Sequence, residues 1–272
     1  ACHSQNIPKL NSYGREFAFS GYTIYDEEKY ADSLIEGSDV PLGLLSVLNA
    51  SVVLKARYVE EKPYVDTDPD EYKVGHGEVQ VLEDSGLYIG GRVANNFGAL
   101  LSIKSNPTDK SDVHYSGKLI FAYPTLSGYG GLSLLSTKEN GIFSAMEGYN
   151  TGLNAPIAQF ENAYASNAAQ ATGVANGPAT SLQAYYGDTN FFITAGVTVP
   201  AQNGEGLDAG ESMIPFARVS YAIPISGWDF MLGAYGLNGN AKASDQSLNG
   251  LAITAAANLV KVSKEAYGLD LE

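Results

Sequence analysis

Cys2 and His3 stand side by side near the start of the chain, the back half of the pattern C-x-x-C-H. In that pattern two thiolates bond the vinyl groups of a c-type haem, and the adjacent imidazole takes the iron. The first residue is Ala1, so the front cysteine is expected ahead of it. A Cys-His pair alone is usually an accident, and its meaning depends on the residues downstream of it. A sixth iron ligand, if one is used, has to come from His76, His114, Met146, Met213 or Met231. No nucleophile–base triad, P-loop or strand-linked G-x-G-x-x-G accompanies the pair. The segment from Glu60 to Glu71 packs Asp66, Asp68 and Asp70 in alternation, like the start of an EF-hand loop. It lacks the glycine at the sixth position and the glutamate at the twelfth. A solvated acidic loop accounts for it better than a calcium site.

The residues after the pair carry more information. Pro8, Leu10, Asn11, Tyr13-Gly14-Arg15, Phe17 and Gly21-Tyr22 come at fixed spacing. This run resembles the segment behind the haem motif in the fused monohaem cytochrome–porins, the outer-membrane Fe(II)-oxidising cytochromes of iron bacteria. Their pattern reads C-x-x-C-H, then P-x-L-N-x-F-G-R-x-F, then G-Y, with Tyr13 standing here for the usual Phe. The resemblance implies one covalently attached haem c, with Cys2 as thioether anchor and His3 as proximal ligand. It places Tyr13 and Phe17 against the macrocycle and Arg15 near a propionate. It also implies extracellular Fe(II) or another donor outside and a periplasmic cytochrome as acceptor. The distal ligand stays open between Met231, His114 and His76.

Composition is compatible with that reading and closes off others. The 272 residues hold 30 Gly and 18 Tyr but only 1 Cys, 3 Met and 1 Trp. One cysteine excludes a disulfide framework and, beside 3 His, leaves little for a thiolate zinc site. A net charge of −14 speaks against nucleic acid, whose phosphates demand a basic surface. No apolar run approaches the roughly 18–20 residues of a membrane helix.

The elements that must position the motif change character at Pro41. Residues 1–40 form a charged, Tyr-rich haem-binding or plug segment, and residues 41–272 alternate apolar and polar positions to the end. Period-2 stretches of ten or so residues are the pattern of a transmembrane strand. The alternation predicts strands at 44–59, 76–94, 97–105, 112–123, 128–137, 181–187, 190–199, 213–223, 228–237, 249–262 and 266–272. Short turns are expected at 95–96, 124–127, 187–189, 224–227 and 263–265, and longer loops at 60–75, 106–111, 138–180, 200–212 and 238–248. Short links on one side and long ones on the other mark an up-and-down antiparallel transmembrane β-barrel. An odd strand count ending in mid-alternation leads to the expectation of a fragment, with further strands behind Glu272.

Face assignments share the same phase. Ala217, Val219 and Tyr221 oppose Arg218 and Ser220; Tyr115, Leu119 and Phe121 oppose His114, Ser116 and Lys118. Lys55, Arg57, Arg92, Lys104, Lys118 and Arg218 all fall inward and make a basic lining, while Met231 and His114 share the inward phase. Tyr58, Phe97, Tyr123, Tyr221 and Trp228 are candidates for interfacial girdles in outer-membrane lipid. The expected fold is therefore all-β, a porin-like barrel behind a short haem segment on the periplasmic side. A haem-free passive porin and a secreted soluble β-protein remain as alternatives, because alternation alone fits a sandwich core equally well.

Overall fold

A computed structural model describes residues 12–24, 50–54, 56–60, 64–65, 72–73, 77–81, 85–105, 113–137, 179–200, 212–225, 228–244 and 259–271. The described residues are almost entirely antiparallel strand. A short helix, α1 (Ser12–Phe19), precedes β1 (Ala50–Val53), β2 (Ala56–Glu60), β3 (Tyr64–Val65), β4 (Tyr72–Lys73) and β5 (Gly77–Val81). Then come β6 (Gly86–Ala94), β7 (Phe97–Ser105), β8 (Val113–Pro124), β9 (Tyr129–Thr137) and β10 (Ala179–Gly187). The last four are β11 (Phe191–Pro200), β12 (Ile214–Ile225), β13 (Trp228–Ser244) and β14 (Leu259–Leu271). Ten of these form one sheet, ordered β1-β6-β7-β8-β9-β10-β11-β12-β13-β14. The remaining strands nest inside the β1–β6 hairpin, β2 pairing with β5 and β3 with β4. Among the described residues no helix is long and apolar enough to cross a membrane, which says nothing of strands.

From β6 onward each strand pairs with the next in sequence, so the connections alternate between the two ends of the sheet. At one end they are short. Asn95 and Asn96 link β6 to β7, with Asn96 in the left-handed region at φ 60°, a conformation asparagine tolerates better than most residues. Thr125 donates its backbone N–H to the Gly128 carbonyl at 2.7 Å between β8 and β9. Asp188 Oδ1 accepts from the backbone of Asn190 and Phe191, both at 2.8 Å, an Asx turn between β10 and β11.

The C-terminal strand corrects the sequence reading. A turn is expected at 263–265, between separate strands 249–262 and 266–272. Instead Ser263, Lys264 and Glu265 lie inside the continuous β14, opposite Asn240, Gly239 and Asn238 of β13. The expected loop 238–248 accordingly begins as strand up to Ser244, and 245–258 lie outside the described residues. The physical reason is that both strands turn polar together. Ser-Lys-Glu carries no glycine, proline or asparagine to bend the chain. Its polarity marks where the ladder outruns the apolar part of the sheet. The described sheet thus has ten strands where eleven are expected in the barrel.

The two faces of the sheet divide as the phase requires. One row of paired residues reads Leu119, Leu134, Leu182, Val197, Pro215; another reads Tyr123, Gly130, Tyr186, Ile193, Val219, Ala234, Leu269. Leu134, Leu182, Ile193 and Leu269 on this face are all exposed. The opposite face carries Lys118, Ser133, Ser181, Gln183, Thr194, Thr198, Arg218 and Ser220, and each of them is buried. Its hydroxyls bond one another: Ser181 Oγ donates to Thr198 Oγ1 at 2.6 Å, and Thr194 Oγ1 to Gln183 Oε1 at 3.0 Å. Apolar residues join them in two clusters, one around Ile214, Phe216 and Leu237 and one around Phe19, Ile120 and Phe192. The inner face therefore buries polar groups together with these apolar clusters, while large aliphatic side chains on the outer face are bare.

Candidate functional site

The N-terminal segment lies on the polar face at the short-turn end. Helix α1 offers it Arg15 and Phe19, one turn apart. Arg15 is 4 % exposed, and its Nε and Nη2 donate to the Thr189 carbonyl at 3.3 and 3.2 Å. Phe19 stacks on Phe192, centroids 5.4 Å apart and planes 11° from parallel. The Tyr185 hydroxyl donates to the Phe19 carbonyl at 2.5 Å, satisfying an acceptor that the helix end leaves open.

The helix stops where its sequence changes to Ser20-Gly21-Tyr22. Tyr22 N–H donates to the Phe17 carbonyl at 2.9 Å and Gly21 N–H to the Ala18 carbonyl at 3.1 Å, with Gly21 at φ 69°. This is a Schellman cap, which requires a left-handed residue just past the helix. Ser20 Oγ donates to the Phe17 carbonyl at 2.8 Å, and Thr23 Oγ1 to the Ser20 carbonyl at 2.5 Å. Phe17 and Tyr22 meet edge to face at 5.5 Å.

Glycines shape the seat. A Cβ on Gly98 of β7 would stand 1.6 Å from the Gly21 carbonyl oxygen, and one on Gly187 2.8 Å from the Phe19 ring. The segment therefore lies directly on the sheet backbone. Gly98→Ala should displace it and open Arg15 to trypsin. Gly117→Ala, where a Cβ would come no nearer than 4.0 Å to a neighbour, should leave cleavage unchanged. Equal protection of Arg15 in wild type and Gly98→Ala would contradict this packing.

Burial pushes the Tyr22 phenol up from its ordinary value of 10.0. The opened segment releases that proton at lower pH than the seated one, so the contribution is complete below pH 10 and lost as pH rises from there. Subtilisin digestion should accordingly quicken over residues 12–24 above pH 10, and Tyr22→Phe should flatten that rise.

The positions singled out from sequence fall into three groups. Tyr13, 51 % exposed, and the half-buried Phe17 share the helix side turned away from Arg15 and Phe19. Met231 is buried in the cluster that also holds Phe19, Ile120, Ala122, Tyr185 and Phe192. His114 pairs with Lys104 across β7 and β8. Cys2, His3, His76, Met146 and most of the 60–71 acidic segment lie outside the described residues. Met213 is exposed, bridged to Asn240. Among the inward cations, Lys104, Lys118 and Arg218 are buried and Arg92 is half-buried, bonding the Asn95 side chain. Among the described residues no three His, Cys, Asp or Glu side chains gather as a metal site.

Sequence reasoning missed Tyr185, Thr189 and Phe192, which hold the segment. Their signal was present, since Tyr185 and Phe192 are the aromatics of inward phase beside a short turn. Comparison with protein-family models, curated proteins and solved structures found no match.

Proposed function

We propose that this chain is an outer-membrane β-barrel whose N-terminal segment sits inside the periplasmic end and carries one c-type haem. The observation supporting the barrel is the inverted sheet. Leaving a large aliphatic side chain in water forfeits part of the about 1.5–3 kcal/mol that full burial contributes, and here Leu119, Leu134, Leu182, Ile193 and Leu269 are bare while Lys118 and Arg218 are covered. A soluble sandwich would turn the aliphatic rows inward. A barrel with lipid outside turns them outward and closes its edges, since lipid does not tolerate unpaired backbone groups. Exposed Tyr58, Tyr123 and Tyr221 fit the interfacial positions expected of girdle residues.

Support for haem comes from the tether and the helix. His3 precedes Ser12 by nine residues, a reach of roughly 30 Å at most. Tyr13 is exposed and shares with the half-buried Phe17 the helix side away from the sheet, the kind of surface a macrocycle covers. Cys2 would hold the group by a thioether and His3 would take the iron, which supplies a one-electron couple. Arg15 spends its Nε and Nη2 on Thr189, so its role in this reading is to fix the helix. The buried Met231 is the distal candidate that shares a core cluster with Phe19 of the N-terminal segment. Electrons would pass from an extracellular donor such as Fe(II) to a periplasmic cytochrome near the short turns.

The test is the reduced spectrum of membrane-extracted protein before and after acid–acetone treatment. A c-type α-band that survives extraction is expected; its absence would remove the haem reading. Liposome swelling without that band would then select a passive channel, a reading the polar inner face also supports.

A further inference from the structure

Phe19 and Gly21, two residues apart, touch strands from β7 to β11, five of the ten in the main sheet. The Gly21 carbonyl lies against Gly98 of β7, and a Cβ on Gly21 would meet Ile120 and Ala122 of β8 at 3.1 and 3.3 Å. Phe19 stacks on Phe192 of β11 and covers Gly187 of β10, while its carbonyl accepts the Tyr185 proton. Flat strands at about 4.8 Å spacing would set β7 and β11 about 19 Å apart. The segment therefore bridges the inner face and does not lie along one strand.

About eight strands close around a space that their own side chains fill, and the space widens as strands are added. A barrel built from this sheet has at least ten, and α1 with its cap stands across the wider opening at the short-turn end. Ser133 and Gln183 lie under Ala18 and Phe19 and are only 1 % and 3 % exposed. The hold on the segment can be undone. It includes the bonds from Arg15 to the Thr189 carbonyl and from Tyr185 to the Phe19 carbonyl, and α1 adds no strand to the sheet. Tyr22 works against the hold, with a left-handed φ of 62° that a bulky side chain keeps only where its surroundings enforce it. Leaving the seat frees Tyr22 to relax.

We propose that residues 12–24 are an autoinhibitory plug. Seated, they close the lumen to ions and small polar solutes at the short-turn end. Unseated, they open a path lined by inward polar groups such as Ser133, Gln183 and Thr194. The inference rests on the membrane-barrel reading and is independent of haem.

The experiment records single channels of the full chain in planar phosphatidylcholine bilayers, with potassium chloride as the conducting salt. Heat-modifiable gel mobility of the same preparations reports the barrel. Wild type and Gly117→Ala are expected to stay closed for most of the record. Arg15→Ala, which loses the tie to Thr189, should raise the open fraction about tenfold or more, the worth of one charge-assisted hydrogen bond. Gly98→Ala, whose Cβ displaces Gly21, should raise it as well. The two variants act on different sides of the segment, so a folding defect in one leaves the other to decide. Equal open fractions in wild type and both variants would show that the segment closes nothing and would overturn the proposal. Silence in all of them with the barrel band present would overturn it equally, because unseating must open a path. Absence of the barrel band in wild type marks failure of the membrane reading, and the proposal falls with it.

Discussion

Arginine placed at Leu134 or Leu182 should destabilise the protein by about 2–4 kcal/mol in a lipid bilayer, the cost of a cation near the midplane of a barrel's lipid face. The size of the effect is informative because both leucines are already exposed, at 43 % and 51 %. In a water-soluble protein such a surface change lies within about ±0.5 kcal/mol. The two leucines pair directly across β9 and β10, so the double variant should be worse than additive, like charges standing opposite one another. Glu265→Arg supplies the control. It is exposed on the same face but lies in the polar stretch of β14 opposite Asn238, beyond the aliphatic rows, and should cost little. Urea titration in bilayers reads all four proteins. Neutral behaviour at Leu134 and Leu182 would mean that water covers this face.

Replacing His3 with Ala should abolish the low-spin haem spectrum altogether while leaving the sheet assembled. The described strands begin at Ala50 and the helix is held by Arg15, Phe19 and Tyr185, none of which depends on iron. The spectrum reports the ligand, and heat-modifiable gel mobility reports the barrel. Loss of both together would show that haem attachment and strand assembly are coupled, and the division between segment and barrel would be wrong.

The strand phase was legible because period-2 alternation is a local property. Arg218 and Ser220 fall inward and Val219 and Tyr221 outward, as their spacing requires. The turns at 95–96, 124–127 and 187–189 were legible from asparagine, glycine, proline and aspartate. The turn expected at 263–265 was not there, because polarity alone cannot separate a turn from a strand that has left its apolar environment. The covering of the inner face was hidden for a different reason. Ser220 reads as an open lumen position, yet it is 1 % exposed. Inward direction is written in the alternation, whereas what lies above a residue depends on contacts more than 160 residues apart, such as Tyr185 with Phe19. The seat itself depends on Gly98 and Gly187, whose meaning appears only when Gly21 and Phe19 arrive over them.

Lipid contact along the aliphatic face of the sheet, as proposed, can be read directly by fluorescence. Leu134→Trp and Leu182→Trp, each in a Trp228→Phe background, place a single fluorophore on that face. In vesicles of brominated phosphatidylcholine both should be strongly quenched by the bromines and shielded from aqueous acrylamide. Quenching by acrylamide with no response to bromolipid would put the face in water and rule out a lipid-facing barrel.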